Sequence, residues 1–173
     1  CHPNLINMQK IEPNKINDQF ILFKKNINLI FVIDHAGRAG NGFYQTIFED
    51  HDEVIVCTWV HYFYSFINYR YKAKNLISSE EILNYFKGNQ YFSCLYNEKN
   101  AKDDKFIKKM GGDPNVNFDR KKFRTILNTI TLKDKLISRR DFLIAFYFSF
   151  AIANKKNILN AKYFITCDTI SQR

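Results

Sequence analysis

A five-residue apolar run, Leu29-Ile30-Phe31-Val32-Ile33, stops at Asp34 and opens into a loop holding three glycines and one arginine, Gly37-Arg38-Ala39-Gly40-Asn41-Gly42. The run is short and rich in β-branched residues, which suits a strand buried on both faces. The residues after it, Phe43 to Phe48, carry helical spacing with Phe43, Ile47 and Phe48 on the core side. A second apolar run, Val54-Ile55-Val56, closes the unit. Strand, glycine loop, helix, strand restricts the chain to an α/β fold, because parallel strands need a crossover helix.

The loop composition points to anion binding. Glycine accepts positive φ and lets a ligand approach the backbone with no Cβ in the way. A helix start offers four N–H groups without intrahelical acceptors and about half a positive charge. Arg38 adds a planar fork that matches two phosphate or sulfate oxygens. The spacing is neither Gly-x-Gly-x-x-Gly nor Gly-x-x-x-x-Gly-Lys-Ser/Thr, so neither the dinucleotide fingerprint nor the standard triphosphatase loop is present. A tight strand-to-helix turn that needs glycine only for its geometry is the simpler alternative.

The stretch Ile33-Asp34-His35-Ala36-Gly37-Arg38-Ala39-Gly40-Asn41-Gly42, followed by Glu49-Asp50-His51-Asp52-Glu53-Val54, resembles the 5′-phosphosulfate loop of P-loop sulfotransferases of the bacterial and Golgi-type branch. The likeness covers residues 28–56 and is faint elsewhere. It implies a sulfotransferase that moves a sulfuryl group from 3′-phosphoadenosine 5′-phosphosulfate (PAPS) to a hydroxyl or amine acceptor, a glycan among the candidates. It also implies that Gly37, Arg38, Ala39, Gly40, Asn41 and Gly42 hold the co-substrate, with no metal. The family places Ser or Thr where this chain has Asn41, and often Thr where it has Gly42. Its second motif, Arg-Asp-Pro with a downstream Ser for the 3′-phosphate, has no counterpart here. With Cys1 at the start, this leads us to read the chain as an amino-terminal fragment of a longer protein. The expected fold is a three-layer P-loop-type α/β fold: a parallel sheet flanked by helices, with a helical insertion between the second and third core strands.

Transfer to an acceptor needs a general base near the carboxyl ends of the strands. His61, in the aromatic stretch Trp59 to Tyr71, follows the second strand and is the first candidate. A half-buried histidine packed among aromatic rings is the competing reading. His35, inside the loop, is the second candidate, either as base or, protonated, as an anion ligand. His51 reads as a structural residue at a helix end, and Asp52 and Glu53 as turn residues. Arg70 could meet an acidic acceptor.

A net charge of +9 over 173 residues favours anionic partners: a nucleotide, an acidic glycan, nucleic acid or an anionic membrane. No nucleic-acid motif appears, so no specific nucleic acid is expected. Cys1, Cys57, Cys94 and Cys167 lie far apart with no Cys-x-x-Cys pair, which argues against zinc and suits a reducing compartment. No signal peptide is visible and no apolar run approaches about 18 residues, so a cytoplasmic chain without a membrane span is expected.

Along the chain, residues 1–19 read as a mobile lead-in and 20–173 as a partial sulfotransferase-like domain. Ser78 and Glu81 form a capping box. Asp119 caps a helix to about Ile130, and Ser138 opens a long apolar helix to about Asn154. That helix is apolar all round and should be buried. A last strand is expected over Ala161 to Cys167.

Overall fold

A computed structural model describes residues 13–34, 47–48, 50–57, 70–71, 74–89, 92–96 and 118–169. The first described element is helix α1 (Pro13–Asn26), where a mobile lead-in was expected up to residue 19. Pro13 suits a first helical position, where its missing N–H costs nothing. Ile16 and Phe23 are buried on one face, with Phe20 beside them. The rings of Phe20 and Phe23 stand 5.5 and 5.2 Å from Phe148. That packing, rather than the weak helix propensity of an Asn-rich segment, makes the helix.

One residue later, buried Ile27 leads into strand β1 (Asn28–Asp34). Strands β2 (Val54–Val56) and β5 (Tyr163–Thr169) complete a parallel sheet in the order β1-β5-β2. Among the described residues, the last strand is therefore the central one. Its register sets Asn28 beside Tyr163 through to Asp34 beside Thr169, and Val54 beside Tyr163 through to Val56 beside Ile165.

Alternate residues of the sheet feed two clusters. Ile55 and Phe164 point into the main core, whereas Val54, Val56 and Ile165 meet Phe48 on the other face. Helical residues thus lie against both faces at β2 and β5, whereas β1, expected to be buried on both faces, leaves Leu29 47% and Ile30 41% exposed at the edge of the described sheet. Phe48 takes the predicted core position, but Ile47 is 57% exposed, against the expected spacing.

Strands β3 (Leu76–Ser78) and β4 (Leu136–Ser138) form a separate antiparallel ribbon, each running straight into a helix: α2 (Ser79–Gly88) and α4 (Arg139–Ala153). The Ser78 and Ser138 hydroxyls accept from the Glu81 and Asp141 N–H groups at 3.4 and 3.0 Å. Between them lies α3 (Arg120–Thr131), capped by Asp119, whose Oδ1 accepts from the Lys122 N–H at 2.8 Å. All three predicted caps are present. A 3₁₀ turn spans Ser93–Leu95.

Helix α4 fills the centre. Phe142 and every residue from Ile144 to Ala153 are buried. Each side has a different neighbour: Phe148 meets α1, Phe146 meets Phe123 of α3 at 5.9 Å, Phe142 meets Phe86 of α2 at 5.5 Å, and Tyr147 meets Phe164 of β5 at 4.5 Å. Aromatic pairs of this kind each contribute about 0.5–1.5 kcal/mol beyond area burial. The two buried hydroxyls of α4 are satisfied locally. The Tyr147 hydroxyl donates to the Ile165 carbonyl at 2.9 Å, and the Ser149 hydroxyl to the Ala145 carbonyl at 2.7 Å. Among the described residues no helix is long and apolar enough to cross a membrane.

Candidate functional site

The predicted anion loop hangs from the carboxyl end of β1. Its residues Gly37, Arg38, Ala39, Gly40, Asn41 and Gly42, together with the base candidates His35 and His61, lie outside the described residues. What the structure fixes is the platform from which they leave. β1 ends at Asp34, immediately before His35. β2 ends at Val56, followed by fully buried Cys57, and the segment containing His61 continues from there.

The register makes this edge of the sheet uneven. Val56 is level with Ile165, while Asp34 is level with Thr169, four positions further along β5. Among the described residues, β1 and β5 continue roughly 13 Å past the end of β2, at about 3.3 Å per residue. In open parallel sheets, ligands bind in the crevice outside the carboxyl ends, where connections from neighbouring strands part.

The same register brings in residues that the sequence reading missed. β5 runs two residues past the expected Cys167, so Asp168 and Thr169 share the carboxyl edge with Asp34. A signal was present: both strands are apolar runs that finish near an aspartate, Ile33-Asp34 and Cys167-Asp168. Their adjacency was not readable, since well over a hundred residues separate them.

His51 sits at the opposite, amino-terminal edge, in the turn that precedes β2. Its Nδ1 accepts from the Glu53 N–H at 3.2 Å, and its own N–H donates to the Phe48 carbonyl at 3.1 Å. This supports a structural role. Lys156 Nζ donates to the His51 and Val54 carbonyls at 3.1 and 2.8 Å. Lys162 pairs with the Glu53 carboxylate, which holds Glu53 below the usual carboxylate range and Lys162 above the usual ammonium range. Asp52 and Glu53 are turn residues, as read.

Arg70 is half-exposed and packs on α2. Its guanidinium lies 4.4 Å from the Tyr85 ring centre and 4.0 Å from Glu81. Among the described residues no cluster of three or more His, Cys, Asp or Glu side chains could hold a metal ion. No family model, curated protein or solved structure matches the chain.

Proposed function

We propose that this chain binds PAPS at the carboxyl edge of its parallel sheet and transfers the sulfuryl group to a hydroxyl or amine acceptor. The observation that carries the reading is the end of β1 at Asp34, directly before the Gly37–Gly42 loop, at the edge where parallel α/β sheets take ligands. In this reading the sheet, with helical residues against both faces, is the centre of a P-loop-type three-layer fold.

The chemistry is in-line displacement at sulfur. The acceptor oxygen or nitrogen forms a bond to sulfur, the bond from sulfur to the bridging phosphate oxygen breaks, and the desulfated nucleotide leaves with the electron pair. The acceptor proton passes to a base, His61 first and His35 second. Arg38 and the loop N–H groups stabilise the charge that builds on the sulfuryl and bridging oxygens. The test is calorimetric titration of the 173-residue chain with PAPS and with its desulfated product, on wild type and Arg38→Ala. Weakening by roughly 1.5–3 kcal/mol in the variant is the expected result, the range for a hydrogen bond to a charged group. Wild-type binding that Arg38→Ala leaves unchanged would remove the loop from the site.

A second reading draws on Asp168. Asp34 ends β1, and Asp168, level with Ile33, is the penultimate residue of the adjacent β5. Carboxylates beside a polyanion repel it unless a cation lies between them. A metal–nucleotide complex used for phosphoryl transfer would satisfy that condition. ATP binding that requires Mg²⁺, with no response to PAPS, would favour this alternative.

A further inference from the structure

Helix α1 carries apolar side chains on its outer as well as its inner surface. Ile21 is 44% and Leu22 52% exposed, although they follow each other in the helix. Each lines a different groove. Leu22 borders a shallow one with Leu159, itself 77% exposed. Ile21 borders a groove of about 240 Å³ whose other wall includes Leu76 and Leu136, the exposed leucines of the β3–β4 ribbon. Leu76 and Leu136 are 55% and 53% exposed because Ile77 and Ile137, next to them in the strands, take the inward face. Leu159, Leu22, Ile21, Leu76 and Leu136 therefore form an aliphatic band across α1.

The charged groups along the band are mainly basic. Lys25 lies one helical turn beyond Ile21 and Leu22, Lys74 precedes Leu76, and Lys133 and Lys135 precede Leu136; all four are exposed. Lys133 also lines the larger groove. Lys24 and Asp141 neutralise each other at 2.6 Å inside that groove. Asp134, which lines it too, and Asp18, one turn before Ile21 and Leu22, are the acids on this surface. Four lysines thus outweigh two aspartates, in a chain of net charge +9.

The composition discriminates between kinds of partner. Protein-binding hot spots favour Trp, Tyr and Arg, and protein interfaces are depleted in Lys. This band has Leu, Ile and Lys instead. Aliphatic side chains enter the acyl boundary of a bilayer, while lysine stems lie along it and place their ammonium groups among anionic headgroups. We infer that α1 and the β3–β4 ribbon form a peripheral docking face for an anionic lipid bilayer.

The test is co-sedimentation of the 173-residue chain with vesicles of phosphatidylcholine alone and of equimolar phosphatidylcholine and phosphatidylserine. Binding to the mixed vesicles only, lost at high salt, is expected. Lys133→Gln and Lys135→Gln should each weaken it about fivefold, the effect of one basic residue near an anionic surface. The pair Leu76→Asn and Leu136→Asn should weaken it about tenfold or more, from the apolar area withdrawn. Both leucines are exposed, and circular dichroism checks that the fold is kept. Failure to bind the anionic vesicles at low salt would overturn the inference. Binding indifferent to the leucine pair would also overturn it, reducing the effect to charge adsorption. A dimer in sedimentation velocity that the leucine pair dissociates would reassign the face to a second copy of the chain.

Discussion

Ile77 of β3 stands directly opposite Ile137 of β4, and each is the middle residue of a Leu-Ile-Ser stretch whose serine caps the helix that follows. The antiparallel register sets Leu76 beside Ser138 and Ser78 beside Leu136. The ribbon therefore repeats one local design twice, related by an approximate two-fold. Ser79, just past the first cap, ties the halves together: its hydroxyl donates to the Asp134 carbonyl at 2.6 Å and its N–H to the Lys135 carbonyl at 3.0 Å. The two helices launched from this ribbon differ in burial, since α4 is enclosed and α2 presents one face.

The two caps differ in strength. The Ser138 hydroxyl accepts at 3.0 Å and the Ser78 hydroxyl at 3.4 Å, near the limit of a useful hydrogen bond. Loss of a serine cap costs about 0.5–2 kcal/mol. We expect Ser138→Ala to cost about 1 kcal/mol or more, and Ser78→Ala to fall at the low end of the range. Urea denaturation of both variants checks the order, and a larger loss for Ser78→Ala would contradict it.

Helix α4 ends with Lys155 at φ 59°, a left-handed conformation in which glycine is usual. The Lys156 N–H donates to the Ala151 carbonyl at 2.9 Å and the Lys155 N–H to the Ile152 carbonyl at 3.2 Å, the paired bonds of a Schellman ending. A side chain in this conformation costs about 1–2 kcal/mol, and glycine returns part of the gain as unfolded-chain entropy. Lys155→Gly should therefore stabilise the chain by about 0.5–1 kcal/mol, read as a higher urea midpoint. A lower midpoint would mean that contacts of the lysine stem outweigh the backbone term.

The Glu53–Lys162 pair fastens the start of β2 to the start of β5, beside the Lys162 and Tyr163 N–H groups that both donate to the Glu53 carbonyl. The hydrogen bond from Lys162 lowers the Glu53 pKa below 4.5, so its contribution is present above pH 4.5 and is lost as pH falls through the depressed value. The same bond raises Lys162 above 10.5, so that contribution is present below pH 10.5 and is lost as pH rises through the elevated value. Both groups are solvent-facing, and salt should shrink the effect. We expect the stability difference between wild type and Lys162→Met to be flat between these limits and to narrow beyond each. A difference that does not change with pH would show that the pair contributes only through packing of the lysine stem.

Local chemistry determined much of this protein. Apolar runs ending in polar residues marked β1, β2 and β5, and Ser78, Asp119 and Ser138 marked three helix starts, because a cap is an interaction within four residues of itself. The uninterrupted apolar face of Phe142 to Ala153 announced a buried helix, since no solvent-facing stripe was left. Other features were decided by partners distant in the chain. Helix α1 forms where the sequence reads as polar lead-in, because Phe20 and Phe23 find Phe148. β3 and β4 are too short to show a period and exist because they pair with each other. The insertion of β5 between β1 and β2, and with it the pairing of Asp34 with Thr169 at one edge, is a fact of register. Strand order is set by which faces can be buried together, a property of the assembled sheet that no single strand carries.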